Sequence, residues 1–292
     1  MPNFLKDLFL GFTMKLWSRN GITLTPIPTD KPVETGKSKF GGKPDVPADF
    51  VWPYYEGKNY EDKIQNRPLA FLAQLSCAEL KPFDKEGLLP ETGVLSFFYE
   101  LESAPWGFDP ADRGSARVFW FDSPALRSAD FPADLSEEFR FGELTLEFAS
   151  RTMLPSYEEF DYLTRGKTGL DWDEYEEYCE EHELLIPNEE DLHTVFGYAA
   201  LVQGECVSEC EMVERHGLYC GDGNAYNARS ETERVKLQVE SRKWIQLFQM
   251  GSLEEEGMEL MFGDCGTVYF YIHRDDLAKR DFSRVWLILQ CG

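Results

Sequence analysis

The chain has 292 residues, enough for one large domain or two modest ones, and its 42% hydrophobic and 14% aromatic content is that of a folded protein. A formal net charge of −24 argues against nucleic acid and anionic membrane as partners, because both require positive charge to displace counterions. The charge suits a solvated acidic surface, and among partners a basic protein or a cation. Seven cysteines are an odd number without paired spacing, so reduced thiols in the cytoplasm are expected, and no apolar run approaches the ~20 residues of a transmembrane segment.

Residues 1–20 contain FLKDLFLGFTMKLW (4–17), which Lys6, Asp7 and Lys15 interrupt as a signal peptide. Leu5, Leu8, Phe9, Phe12 and Leu16 fall on one side of a helix, predicting an amphipathic helix docked on the main body. GITLTPIPTDKPVETG (21–36) reads as an edge strand and a loop, since Pro26, Pro28 and Pro32 lack ladder donors. SKFGGKPDVPADFVWP (38–53) reads as an ordered, irregular loop standing on Phe40, Val46, Val51 and Trp52. Residues 68–80 predict a buried strand running into a short helix, and 93–101 a strand with Leu95, Phe97, Tyr99 and Leu101 on one face. WGFDPADRG (106–114) is a turn-rich loop, and 116–122 and 141–149 are further strands.

In the acidic stretch 157–188, Trp172, Tyr175, Cys179 and His182 recur at helical spacing and predict a surface helix over 171–183 with one docked face, part of a helical insertion. Residues 206–223 predict a helix ended by Gly217, and 234–250 predict strands around Val235–Val239 and Trp244–Met250. In the last thirty residues Gly263 and Gly266 bracket a tight turn, Thr267 to His273 alternate as a strand, and Asp275 to Lys279 allow one or two helical turns. Arg284 to Cys291 is apolar on both faces and predicts a central strand.

Four matches recur in the same order along the chain. Phe40-Gly-Gly pairs with Phe196-Gly-Tyr, and Leu72-Ala-Gln-Leu with Leu247-Phe-Gln-Met. The strand after Gly93 pairs with that after Gly266, and Arg117-Val-Phe-Trp-Phe with Arg284-Val-Trp-Leu-Ile. They point to an internal duplication, with halves at about 38–150 and 190–292 packed around one core. The expected class is α+β, predominantly antiparallel β, with accessory helices.

At SKFGGKPDVP with the WP that follows it, PLAFLAQLSCAEL, GVLSFFYE, WGFDPADRG, FGYAALVQG, GDCGTVYFYI and VWLILQC, the sequence resembles the YwqG-like family of uncharacterised bacterial proteins. The resemblance covers nearly everything from residue 38 onward. It implies a single, mostly β, roll-like domain and no established activity. Phe262 and Cys265 depart from the tryptophan and small residue usual at the family's terminal turn.

Candidate sites are few. Cys206, Cys210, His216 and Cys220, spaced C-x3-C-x5-H-x3-C, are the one constellation able to supply zinc ligands; otherwise no cofactor is expected. The competing reading makes Cys206 and Cys210 small core residues one helical turn apart. Asp109, Asp112 and Arg113, beside Trp106, suit a cation or an acid/base pair, or else an Asx turn with an ion pair. Asp264 in the glycine turn carries the same two readings. Gln74 and Gln249, at matching points of two apolar strands, must find partners, either a ligand or a neighbouring loop. With Trp52 these residues are the binding candidates. His182, His193, His216 and His273 join no recognised nucleophile motif, and there is no nucleophile elbow, P-loop or dinucleotide fingerprint. The expected function is a non-catalytic binding protein whose acidic face meets a basic partner, in one form an immunity protein against a basic toxin. The alternative is a metal-assisted hydrolase using Asp109, Asp112 or Asp264.

Overall fold

Ten strands pair into one antiparallel sheet in the computed structural model, which describes residues 3–182, 184–188 and 193–292, with side chains from Leu10 onward. In chain order they are β1 (Arg19–Pro28), β2 (Lys39–Gly41), β3 (Ala70–Ser76), β4 (Val94–Tyr99), β5 (Ala116–Phe121), β6 (Glu143–Met153), β7 (His193–Phe196), β8 (Trp244–Gly251), β9 (Thr267–His273) and β10 (Trp286–Gln290). Across the sheet the order is β10-β9-β8-β7-β1-β6-β2-β3-β4-β5. The class expected from the sequence, mostly antiparallel β with accessory helices, is the one observed.

The strands that follow β1 and β6 outward form two quartets with the same order and the same irregularities. In β3 the ladder to β4 slips between Phe71 and Ala73; in β8 the ladder to β9 slips between Gln246 and Phe248. Each slip skips one leucine, Leu72 or Leu247, which turns into the core. Counting from Gln74 and Gln249, whose ladder partners are Lys39 and Thr194, Phe40 answers to Val195. The pairing of Phe40-Gly-Gly with Phe196-Gly-Tyr is therefore one residue out of step: the left-handed pair Gly41-Gly42 corresponds to Phe196-Gly197. Likewise Val118 faces Phe97 as Leu287 faces Phe270, so Val118 corresponds to Leu287 and not to Val285.

The sheet curls until its two ends share a core. Phe97 of β4 lies 4.6 Å from Phe248 of β8 and 5.2 Å from Phe270 of β9 between ring centroids. Val118, Leu287, Leu289 and Ile272 belong to the same buried cluster. Outside the second quartet, Trp244, Tyr269, Tyr271, Trp286 and Ile288 pack under residues 198–220 and helix 231–241. Outside the first, Phe71 and Phe98 pack with Tyr55 and Leu69.

Several expectations are corrected. β1 is central, between β6 and β7, despite its prolines: β7 pairs it only at Gly21–Thr23, so Pro26 and Pro28 lie where β6 alone needs its ladder. Arg284–Cys291 ends the sheet order and is not central. Both its faces are covered, which is what its apolar run encodes, and its outer edge is closed by a hydrogen bond from Leu289 N–H to Trp106 O (3.0 Å). The matching strand β5 ends the other side, with Val118 buried, Arg117 exposed and the other residues partly buried. Val235–Val239 is helical, within Glu231–Ser241: the alternation of Val235, Leu237 and Val239 mimics a strand, but Ser230 and Glu233 close a capping box and Leu237 and Ser241 share the buried stripe. Val51, expected as an apolar foot, is exposed.

Three helices form a separate layer: α1 (Asn3–Trp17), α2 (Tyr157–Thr164) and α3 (Trp172–Glu181). Their contacts centre on Leu10, Met14, Phe160, Tyr175 and Cys179. Among the described side chains the docked face of α1 is thus Leu10 and Met14, which meet α2 and α3, and Trp17, which also packs against the layer outside the sheet, while Phe12 and Leu16 are each 65% exposed. The expected side chains of Leu5, Leu8 and Phe9 lie outside the described ones, as do residue 183 and residues 189–192, where the second half was expected to begin. In α3 Tyr175 and Cys179 are buried, whereas Trp172 is exposed at the first turn and His182 stacks on Tyr178 beyond the last. Among the described residues no helix is long and apolar enough to cross a membrane.

Candidate binding site

The candidate residues of the WGFDPADRG loop hold structure together rather than facing one another. Asp109 caps the turn Pro110–Asp112, accepting from Ala111 N–H at 2.8 Å. Asp112 accepts from Gly107 N–H at 2.9 Å, and burial holds its carboxyl above the usual range despite that bond. Gly107 is left-handed, and a Cβ there would lie 2.0 Å from Leu287 O, so only glycine lets the loop seat on β10. Arg113 reaches across to the turn Glu211–Arg215, donating to Glu214 O at 3.1 Å and lying 5.3 Å from the Trp286 ring centroid. Glu214 is buried and also receives Arg284 (3.0 and 3.1 Å) and Arg215 (3.0 Å). Trp106 lends its carbonyl to β10 and leaves its ring partly exposed. Asp264 is exposed in the 263–266 turn, its carbonyl taken by Gly292 N–H. Of the three aspartates, Asp112 alone lines the niche beside Arg113, which has a volume of about 20 Å³.

The two glutamines have loop partners. Gln74 accepts from Asp45 N–H (2.9 Å) and donates to Lys37 O and Asp45 Oδ2 (2.7 Å each); Gln249 accepts from Ala200 N–H (2.9 Å). Each amide ties the loop after β2 or β7 to the neighbouring strand. Trp52 donates its indole N–H to Leu69 O at 2.9 Å and packs its ring on Phe50 and Phe98.

The cysteine–histidine constellation does not converge. Cys206 and Cys210 are buried one turn apart on the helix that runs into the π turn Glu211–Arg215, and burial lifts both thiols well above the ordinary value, Cys220 to about 12. His216 turns instead to Glu211 (Nε2 to Oε1, 3.2 Å), whose other oxygen accepts from Trp244 Nε1 (2.8 Å). Among the described residues no three His, Cys, Asp or Glu side chains are placed to hold one ion.

A much larger concavity lies elsewhere, on a hairpin that holds none of the candidate residues. Leu253–Glu255 and Met258–Leu260 pair across Glu256 and Gly257. Met258 and Leu260 turn into the core, whereas Glu254, Glu255 and Glu259 stay in solvent. The hairpin tip is drawn in by Gly142 N–H, which donates to Gly257 O at 2.6 Å, and a Cβ on Gly142 would lie 2.5 Å from that oxygen. Ser252 anchors the base by donating to Gly266 O and accepting from Phe262 N–H, both at 2.9 Å. Between this hairpin, Leu101–Ala104 and Glu138–Phe141 opens a groove of about 880 Å³. Its floor is apolar, from Leu101, Phe141, Leu253, Leu260, Met261 and Phe262, and four glutamates line it: Glu138, Glu254, Glu255 and Glu259. The single cation there, Arg140, donates to the carbonyls of Pro132, Ala133 and Leu135. The signal that would have found this site is the alternation Leu253-x-Glu255 and Met258-x-Leu260 about a Glu-Gly turn.

A family model described as a domain of unknown function, DUF1963, matches residues 38–291. The chain belongs to the DUF1963 family. The match takes in all of the sheet except β1, and it includes the hairpin and its groove. No curated protein matches the chain.

Proposed function

We propose that this DUF1963 domain is a non-catalytic binding protein whose groove takes a basic, amphipathic segment of a partner protein. The observation that carries the reading is the composition of the groove: an apolar floor to bury one face of the segment, and four glutamates to meet its cations. The net charge of −24 supports the same sign of partner, and an immunity-type role against a basic toxin is one form it takes. A cytoplasmic setting fits seven cysteines that are all unpaired. The alternative, a metal-assisted hydrolase on Asp109, Asp112 or Asp264, draws less support, because Asp109 and Asp112 are engaged by backbone N–H groups of their own loop and Asp264 stands apart from them. The matching order, bulges and glutamine contacts of the two quartets support an internal duplication, and the motifs quoted above support the narrower YwqG-like assignment.

The test is fluorescence anisotropy with a synthetic lysine–leucine amphipathic peptide at low and high salt. The parent should bind, more weakly as salt rises. Glu254→Lys/Glu255→Lys/Glu259→Lys, all at exposed positions, should lose at least tenfold in affinity, and Met261→Glu should also weaken binding. Equal affinity for parent and triple variant would sink the reading.

A further inference from the structure

We infer that the cleft between Arg19 and Arg274 binds a phosphate group, free or esterified. This cleft is distinct from the groove and shares no lining residue with it. Arg19 opens β1, and Arg274 follows β9; both line a small cavity with Asn20, Glu86, Gly197 and Gln246. Among the described residues neither guanidinium makes an ion pair or a side-chain hydrogen bond; Arg19 lies 4.3 Å from the Tyr198 ring centroid. Arg274 is exposed at the surface; partial desolvation and then the nearby charge of Arg19 lower its pKa, with Glu86 pulling the other way, so the two cations feel each other across the cleft. Glu86, the one carboxylate lining it, accepts from Asn20 N–H at 2.8 Å, and it offsets one of the two positive charges. Glu159 is within electrostatic reach of Arg19 but forms no ion pair with it.

Gln246 lines the same cavity. It is 1% exposed, beside the bulge in β8. Its Nε2 donates to Thr194 Oγ1 at 2.6 Å and to Phe196 O at 3.2 Å. A carbonyl only accepts, so these bonds fix which end of the amide is nitrogen. The Oε1 end meets no protein donor among the described residues. The sheet does not require an amide there, since the corresponding position beside the other bulge is Phe71. A buried, unpartnered acceptor on a residue that lines the same cavity as two guanidiniums selects an oxyanion that also carries a proton. At neutral pH inorganic phosphate has both, oxygens for the arginine forks and a P–OH for Gln246, and a phosphate monoester has both in its monoanion, which prevails below a second pKa of about 6. The cavity has a volume of about 10 Å³, on the scale of a single oxygen-sized group, so only one oxygen of the ligand enters it and the rest stays outside.

The experiment is isothermal titration calorimetry of the full chain at constant ionic strength, with inorganic phosphate, glycerol phosphate and acetate as separate ligands. Saturable binding of one or both phosphates is expected, and which of them binds tells free from esterified. Acetate, which lacks the proton, should bind at least tenfold more weakly. Arg19→Gln and Arg274→Gln should each weaken phosphate binding at least tenfold, Gln246→Leu should do so as well, and Lys167→Gln, at an exposed position elsewhere, should change nothing. Thermal unfolding checks each variant; if Gln246→Leu does not fold, the two arginine variants and acetate carry the test. Absence of saturation with both phosphates, acetate binding as tightly as phosphate, or parent-like affinity in both arginine variants would each overturn the assignment.

Discussion

Replacing Phe97 by alanine tests whether the two quartets share one core. The ring is fully buried on β4 and touches Phe248 and Phe270, which come from the other end of the sheet order. Removing a buried phenyl costs about 3–5 kcal/mol from lost transfer energy and the cavity left behind. The two aromatic pairs add about 0.5–1.5 kcal/mol each beyond area. A loss of roughly 4–8 kcal/mol on these figures compares with the ~5–15 kcal/mol that holds a typical domain together. The assay is urea denaturation followed by tryptophan fluorescence and far-UV circular dichroism on the same samples. One transition with both probes coinciding is expected, its midpoint lowered sharply and its slope retained. Two separated transitions, of which only one moves, would refute a common core. So would a loss under ~1 kcal/mol, far below the range for a buried ring.

Leu287→Ala should cost about 2–5 kcal/mol, because its side chain is buried in the same core even though its strand ends the sheet; an unchanged denaturation midpoint would contradict this. Glu159 is buried, and desolvation raises its carboxyl to about 7 from an ordinary 4.5, with Arg19 pulling the other way. Folding therefore takes up a proton between these values, and the stability falls as pH rises through that window and levels above it. Glu159→Gln should remove that slope, stabilising the protein by about 2–4 kcal/mol at pH 8 and little at pH 4.5; parallel pH profiles for variant and parent would contradict it. Ser230→Ala, which opens the capping box of helix 231–241, should cost about 1 kcal/mol by thermal unfolding, and no change would mean the helix is held by its contacts alone.

Much of the fold was legible where one chemical requirement governed a stretch. The alternation of Val268, Phe270 and Ile272 against Tyr269 and Tyr271 survives as the division between core and outer layer. What the sequence could not distinguish was a strand between two neighbours from a strand covered above and below. Burial of faces writes itself into side chains, whereas hydrogen-bonded neighbours are satisfied by backbone, which every residue carries. Hence β10 reads as central and ends the sheet, and β1 reads as an edge and lies in its middle. Helix 231–241 reads as a strand because three β-branched or apolar residues at every second place outweigh the capping signal at Ser230, five residues upstream of Val235. Of the candidate site residues, the glutamines were legible as buried amides needing partners, and loops supply them. The groove was not, because its glutamates are ordinary surface residues in sequence and become a rim only when the glycine contact at Gly142 draws the hairpin over Phe141.

The pairing of β1 with β6 joins Ile22 to Ser150, partners drawn from opposite ends of the first half of the chain. Closing a loop of that length costs roughly 4 kcal/mol in chain entropy, and nothing local repays it in advance. The strands from β3 to β5, by contrast, are successive in sequence and need only short closures. The middle of the finished sheet is therefore its slowest part to assemble. Each quartet is expected to zip first and wait for β1 and β6 to join them, so that refolding is governed by one late, long-range event. Pulsed hydrogen exchange would show this as amides of Ile22 and Leu24 gaining protection after those of Leu95 and Phe97; the reverse order would place the centre of the sheet in the folding nucleus instead.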